Sequence, residues 1–434
     1  VFLYSQKMRN YAKITNIMIV ERNTYLQKLL SKRHNGMIKV LTGMRRCGKS
    51  FLLFNLFAEY LKEEGIDDSH IIKVNLEDRR NKNLRNPDKL LEHIDSLMTD
   101  NNMYYILLDE VQMVDEFEDV LNSYLHVQNA DVYVTGSNAK FLSKDVITEF
   151  RGRGDEIRIH PFSFKEYCDS QHNVKDREQL LERFMLYGGL PQVVLMKNDE
   201  EREDYLRNLF THTYLKDIKE RNSIQNDDDL EELVNILASS IGGLTNPLKI
   251  HNTFKSIKQN CISRDTIKSY LDYMQDAFLT ERSLRYDIKG RKYIDTPSKY
   301  YFEDLGLRNA RLNFRQSEKT HLMENLIYNE LRLRGFAVDV GQVTINTKNA
   351  DGKSERKHLE VDFVCNKGYE RIYIQSAFAL LTEEKQEQEF NSLRRIKDNF
   401  QKIVIMGGLQ PTYKNNDGIL ILNIYDFLMN DNIM

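Results

Sequence analysis

Nowhere in the 434 residues does an apolar run reach the length that crosses a bilayer, and residues 1–16 lack the apolar stretch and small residues of a secretion signal. The expectation is a protein with no membrane contact. Cysteine is scarce as well: Cys47, Cys168, Cys261 and Cys365 stand far apart without a C-x-x-C pair. That spacing argues against a disulfide framework or a zinc cluster and points to a reducing, cytoplasmic setting. The ten histidines form no cluster that suggests another metal. Charge of one sign is missing too, since 62 basic against 65 acidic residues leave a net charge of -3. Such a balance gives no global attraction for nucleic acid, so any DNA contact has to be local. An apolar fraction of 41% excludes wholesale disorder, and the length accommodates two or three domains. Residues before Met18 read as a poorly ordered extension or a consequence of where the sequence begins, with Met18-Ile19-Val20-Glu21-Arg22 opening the folded part.

Against these absences one segment stands out: Gly43-Met44-Arg45-Arg46-Cys47-Gly48-Lys49-Ser50 fits G-x-x-x-x-G-K-[ST]. The glycines let consecutive backbone N–H groups wrap an anion, Lys49 reaches the outer phosphates and the Ser50 hydroxyl ligates Mg²⁺. Context agrees with motif. Met37-Ile38-Lys39-Val40-Leu41-Thr42 is of strand type, and Leu52, Leu53, Leu56, Phe57, Tyr60 and Leu61 recur at helical spacing behind the loop. Strand, loop and helix in that order set a helix N-terminus against the phosphates. Residues 43–50, with Phe51 behind them, are therefore the candidate contacts to ATP or ADP. Cys47 inside the cradle reads as a small apolar filler, or as a thiol whose oxidation blocks binding.

A second apolar run, Tyr104-Tyr105-Ile106-Leu107-Leu108, ends in Asp109-Glu110. A buried strand tipped by Asp109 supplies the Mg²⁺-coupled carboxylate, and Glu110 beside it is the base that an ATPase using water requires. A third run, Val132-Tyr133-Val134-Thr135, leads into Gly136-Ser137-Asn138. Asn138 is the first candidate to orient the attacking water, with Ser137 and Thr135 as alternatives. Phe150-Arg151-Gly152-Arg153-Gly154 precedes another strand, Glu156-Ile157-Arg158-Ile159. Arg153, or Arg151, is either an arginine finger for a neighbouring subunit's nucleotide in a homo-oligomer or part of a solvated basic loop.

The run Leu41–Ser50, Leu108-Asp109-Glu110-Val111-Gln112, Thr135-Gly136-Ser137-Asn138 and Tyr187-Gly188-Gly189-Leu190-Pro191 resembles the bacterial and archaeal AAA-like ATPases that carry a C-terminal domain of unknown function. The likeness extends through Tyr214-Leu215-Lys216-Asp217-Ile218 and residues 299–307 to Val361-Asp362-Phe363, nearly the whole chain from Met18. It implies an α/β fold of the P-loop NTPase (ASCE) type, a parallel sheet with an added strand that sets Glu110 beside the γ-phosphate. It also implies a helical lid in which Pro191 contacts the adenine; the bare residues Gly189-Leu190-Pro191 indicate only a turn.

Further along, residues 247–256 and 262–268, with Ser263 as N-cap, have the layout of a helix-turn-helix. A two-stranded wing is expected across residues 279–293, where Arg282, Arg285, Lys289, Arg291 and Lys292 cluster, so this region is either a DNA-contacting or a packing module. The last part mixes helix and strand and resembles a restriction-endonuclease-like fold, whose metal site would fall on Glu324, Asp362 and Gln375-Ser376-Ala377. Gln375 offers only a neutral oxygen and Ala377 cannot polarise water, so an inactive fold is expected, although Glu360 and Asp362 share a strand face with which Glu324 could form a weak Mg²⁺ pocket. Residues 347–357 read as a polar hairpin tip. The expected divisions are residues 18–161 for the ATPase core, 162–225 for the lid, 226–312 for the winged helix and 313–434 for the nuclease-like domain. Three accounts follow: an ATP-hydrolysing switch or motor, an ATP-dependent DNA-processing protein with a metal-dependent nuclease, and a scaffold that senses nucleotide without hydrolysing it.

Overall fold

The computed structural model describes residues 20–136, 152–171, 176–224, 227–257, 262–315, 318–348, 353–378 and 383–431. The chain forms two compact units. The first takes in Val1–Pro161, Leu190–Leu195 and Asp276–Phe278, and the second Phe162–Gly189, Met196–Gln275 and Leu279–Met434.

The apolar runs of the first unit become a five-stranded parallel sheet: β1 (Ile38–Thr42), β2 (Ile71–Asn75), β3 (Tyr104–Asp109), β4 (Ala130–Thr135) and β5 (Gly154–Arg158), in the order β2-β3-β4-β1-β5. Every residue of β3 is buried, as a strand covered on both faces must be. Ile106, Leu108, Val132, Val134, Val40 and Val74 belong to one core cluster. Phe57, from the helical stretch behind the glycine loop, sets its ring 4.6 Å from that of Tyr133 on β4. β4 lies between β1 and β3, so the expected added strand is present and separates the strand that launches the loop from the strand that ends in Asp109. All five strands point their C-terminal ends one way, the end at which open α/β sheets bind ligands.

The second unit combines helices with an eight-stranded mixed sheet. Its strands are β6 (Thr280–Asp287), β7 (Lys292–Phe302), β8 (Ala337–Lys348), β9 (Ser354–Lys367), β10 (Glu370–Ala377), β11 (Gln401–Met406), β12 (Tyr413–Lys414) and β13 (Leu420–Asn423), ordered β12-β13-β11-β10-β9-β8-β6-β7. The Ser263 hydroxyl accepts the N–H of Thr266 at 3.0 Å, the N-cap expected for the helix Arg264–Asp276. The hairpin expected as a free wing does form, but β6 also pairs in parallel with β8 and so joins the sheet built from strands after residue 313. Backbone N–H and C=O groups left on the outer edge of β6 find their partners there, which a two-stranded wing leaves to water. The tip expected at 347–357 shrinks as well, because β8 and β9 stay paired as far as Lys348 and Ser354.

Candidate nucleotide site

Glycine makes the loop possible. Gly43 leaves β1 with φ 138° and Gly48 enters the following helix with φ 98°, both in the region that side chains resist. At position 43 space demands it too, since a Cβ would lie 2.1 Å from the backbone oxygen of Ile159. A Cβ on Gly48 would come 3.5 Å from Cγ of Pro191, so that proline lies against the rim of the loop. Met44 and Cys47 are fully buried, and the Cys47 thiol donates to the Ile159 carbonyl at 3.4 Å, as suits a filler beneath the cradle. Arg45 is half-buried, Arg46 is exposed and Phe51 is 40% exposed.

Lys49 is 4% exposed and folds back over the loop, its Nζ donating to the carbonyls of Gly43 at 2.9 Å and Met44 at 3.0 Å. Ser50, one residue on, hydrogen-bonds the carboxylate of Asp109 from the tip of β3. Asp109 is nearly inaccessible, and burial lifts its pKa against the opposing pull of hydrogen bonds from Thr135 and Ser50. The Thr135 hydroxyl donates to Asp109 Oδ1 at 2.6 Å and accepts the backbone N–H of Glu110 at 2.9 Å. Glu110 adopts φ 54°, and its carboxylate receives the side-chain amide of Gln112.

The structure therefore brings together Gly43, Gly48, Lys49, Ser50, Asp109 and Glu110, with Pro191 at the rim. Arg153 is elsewhere: its carbonyl accepts the N–H of Ile38, at the start of β1, whereas the loop leaves from the other end of that strand. Five residues of strand put the two about 16 Å apart. Asn138, Ser137 and Arg151 lie outside the described residues. Two contributors escaped the sequence reading. Gln112 was visible only as part of a resemblance. Arg22 gave no local signal, because its partners are distant in sequence: Nη1 donates to Cys47 O at 2.9 Å and Nη2 to His160 O at 2.8 Å.

The donor set fits a magnesium nucleotide. A hydroxyl and a buried carboxylate meet at Ser50 and Asp109, hard oxygen ligands of the kind Mg²⁺ takes, and the Lys49 ammonium lies over the loop on the carbonyls of Gly43 and Met44. A glycine loop entering a helix, the strand order β2-β3-β4-β1-β5 and a buried Asp-Glu pair at the tip of β3 define a nucleotide-binding protein of the AAA-like P-loop class. An AAA domain matches residues 35–168, and a domain of unknown function (DUF8612) matches residues 178–318. An uncharacterized protein of Haemophilus influenzae is 34% identical over 417 residues, 95% of this chain and 99% of that one. Another, from Methanocaldococcus jannaschii, is 31% identical over 374 residues, 83% of this chain and 79% of that one. The chain belongs to this bacterial and archaeal family of AAA-domain proteins. Among solved structures, ORC1 of Aeropyrum pernix in complex with DNA shares 12% identity at a TM-score of 0.31, over 67% of this chain and 91% of that one. Cdc6p of Pyrobaculum aerophilum shares 12% at 0.28, over 70% and 94%. Likeness that distant transfers no property to this chain.

Proposed function

We propose that this protein binds ATP with Mg²⁺ and hydrolyses it, as a switch or motor whose AAA-like core occupies residues 18–161. The observation that carries this reading is the Thr135 hydroxyl, which ties Asp109 and Glu110 to each other within a cluster that also holds Ser50. Magnesium, when bound, supplies positive charge to the phosphates; Ser50 and Asp109 are the residues that hold it. Lys49 moves from the loop carbonyls to the outer phosphates, and the helix beginning at Lys49 adds the positive end of its dipole. Glu110 accepts the proton of the attacking water once the Gln112 amide releases it, and Pro191 lies against the base. Arg153 is exposed and far from its own loop, so any stabilisation it gives falls on a neighbouring copy's nucleotide.

Steady-state ATP turnover tests this reading. Lys49→Ala is expected to lower it by at least about a hundredfold, and Glu110→Gln by about 10²–10⁴-fold while nucleotide binding persists. Turnover that survives Glu110→Gln at the wild-type rate would remove Glu110 as the base.

A further inference from the structure

Among the described residues outside the nucleotide site, a cluster of buried and part-buried charge lies in the second unit. Glu324 comes from the helix Lys319–Leu333, and Glu360 and Asp362 come from one face of β9. Residue types alone offer these three carboxylates as a divalent-cation pocket, yet their centre is already filled. Lys299 of β7 is 2% exposed, with Nζ 2.8 Å from Glu324 Oε1, 2.7 Å from Glu360 Oε1 and 3.6 Å from Asp362 Oδ1. Lysine is almost never buried this deeply unless it is paired, and here the pairing is threefold. Burial disfavours the ammonium, but Glu324, Asp362 and Glu360 outweigh it and raise its pKa, so the charge stays.

Two of these carboxylates take further hydrogen bonds. The Tyr301 hydroxyl donates to Glu324 Oε1 at 2.7 Å, and the Ser376 N–H donates to Asp362 Oδ2 at 2.8 Å. Gln375, which takes the place of an anionic ligand, accepts the N–H of Asp362 at 3.3 Å and donates its amide to Glu389 at 2.8 Å. Carboxylate oxygens at 2.7 and 2.8 Å suit a charge-assisted N–H···O⁻ contact, whereas Mg²⁺ requires oxygens at about 2.1 Å in an octahedron. An ammonium and a divalent cation cannot share that centre.

We propose that Lys299 is a tethered substitute for a divalent cation: it gathers Glu324, Glu360 and Asp362 into one buried centre and keeps Mg²⁺ and Mn²⁺ out of it. The centre then holds β7, β9 and the helix Lys319–Leu333 together and performs no metal-dependent phosphodiester hydrolysis. Deleting the ammonium leaves three carboxylates around a cation-sized space, which a divalent ion would fill.

Localised oxidative cleavage tests this on the full chain without nucleotide. Fe²⁺ with ascorbate and peroxide cuts backbone beside a bound ion, and mass spectrometry places the cuts. The wild type is expected to show none near residues 299, 324 or 362. Lys299→Ala is expected to be cut at all three places, to lose the cuts in excess Mn²⁺ and to lose them again when Asp362→Asn is added. Lys299→Gln, which keeps much of the side chain's bulk, serves if the alanine variant does not fold. Asp362-dependent cuts in the wild type would overturn the proposal, because an ion would then coexist with Lys299. A folded Lys299 variant that is never cut would overturn it equally.

Discussion

Thr135 places one hydroxyl between two acidic residues, donating to Asp109 Oδ1 and accepting the N–H of Glu110. Thr135→Val keeps the shape and removes both bonds, leaving the buried Asp109 one donor short. The expected cost is about 1–3 kcal/mol in denaturant unfolding together with slower ATP turnover. Unchanged stability and turnover would show that the hydroxyl positions nothing. The residues of this site that sequence reveals are those whose chemistry depends on near neighbours. Gly43 through Ser50 form one continuous motif, and Asp109-Glu110 follow an apolar run directly. Thr135 stood only as an alternative to Asn138 for orienting water, and its bonds to Asp109 and to the N–H of Glu110 gave no local signal. Lys299 was visible only as part of a resemblance, because its partners lie 25, 61 and 63 positions further along the chain.

At the scale of elements, β1 and β4 are joined by more than their backbone ladder. Lys39 of β1 is fully buried and forms an ion pair with Asp131 of β4, which also accepts the Tyr133 hydroxyl at 2.9 Å and the His34 N–H at 3.2 Å. Burial lowers the Lys39 pKa even though Asp131 pulls it upward. Asp131→Ala would strand that ammonium inside the sheet and is expected to cost about 3–5 kcal/mol in urea unfolding. A joint Lys39→Met and Asp131→Leu replacement is expected to restore most of the loss, since well-packed apolar groups commonly match a buried ion pair. A double variant as unstable as the single one would contradict this. The strands themselves were legible as apolar runs between turns, but the partner of Lys39 was not, since Asp131 lies 92 positions further along the chain. The hairpin β6–β7 was legible as well, but not its pairing with β8, because register between strands more than fifty residues apart is set by packing rather than by local pattern.

At the scale of the whole molecule, residues 187–189 and 304–307, parts of two stretches that resemblance singled out, meet at one buried carboxylate in the second unit. Asp304 accepts the N–H of Gly189 at 2.8 Å and that of Leu307 at 3.0 Å. Gly306 packs so closely that a Cβ would lie 2.0 Å from the Tyr187 carbonyl oxygen. Gly189, which opens the turn expected at Gly189-Leu190-Pro191, is thus held by a residue more than a hundred positions away, which no local reading supplies. Burial pushes the Asp304 pKa up to about 6, against the pull of the backbone donors of Gly189, Leu307 and Gly306. A carboxyl group whose folded pKa exceeds the unfolded one adds stability below about pH 4 and loses it as pH rises through 6. Relative to Asp304→Asn, the wild type is therefore expected to lose up to about 3 kcal/mol between pH 4 and pH 7, read as urea midpoints across that range. A difference that stays flat, or grows with pH, would mean that Asp304 is ionised throughout.

Isothermal titration of the intact, monodisperse chain with ATP and Mg²⁺ bears most directly on the central claim that the loop from Gly43 to Ser50 grips a nucleotide. The predicted result is saturable uptake of one ATP per chain in the wild type and in Glu110→Gln, abolished in Lys49→Ala. A wild-type chain that takes up none, or a Lys49→Ala chain that binds as well as the wild type, would contradict it.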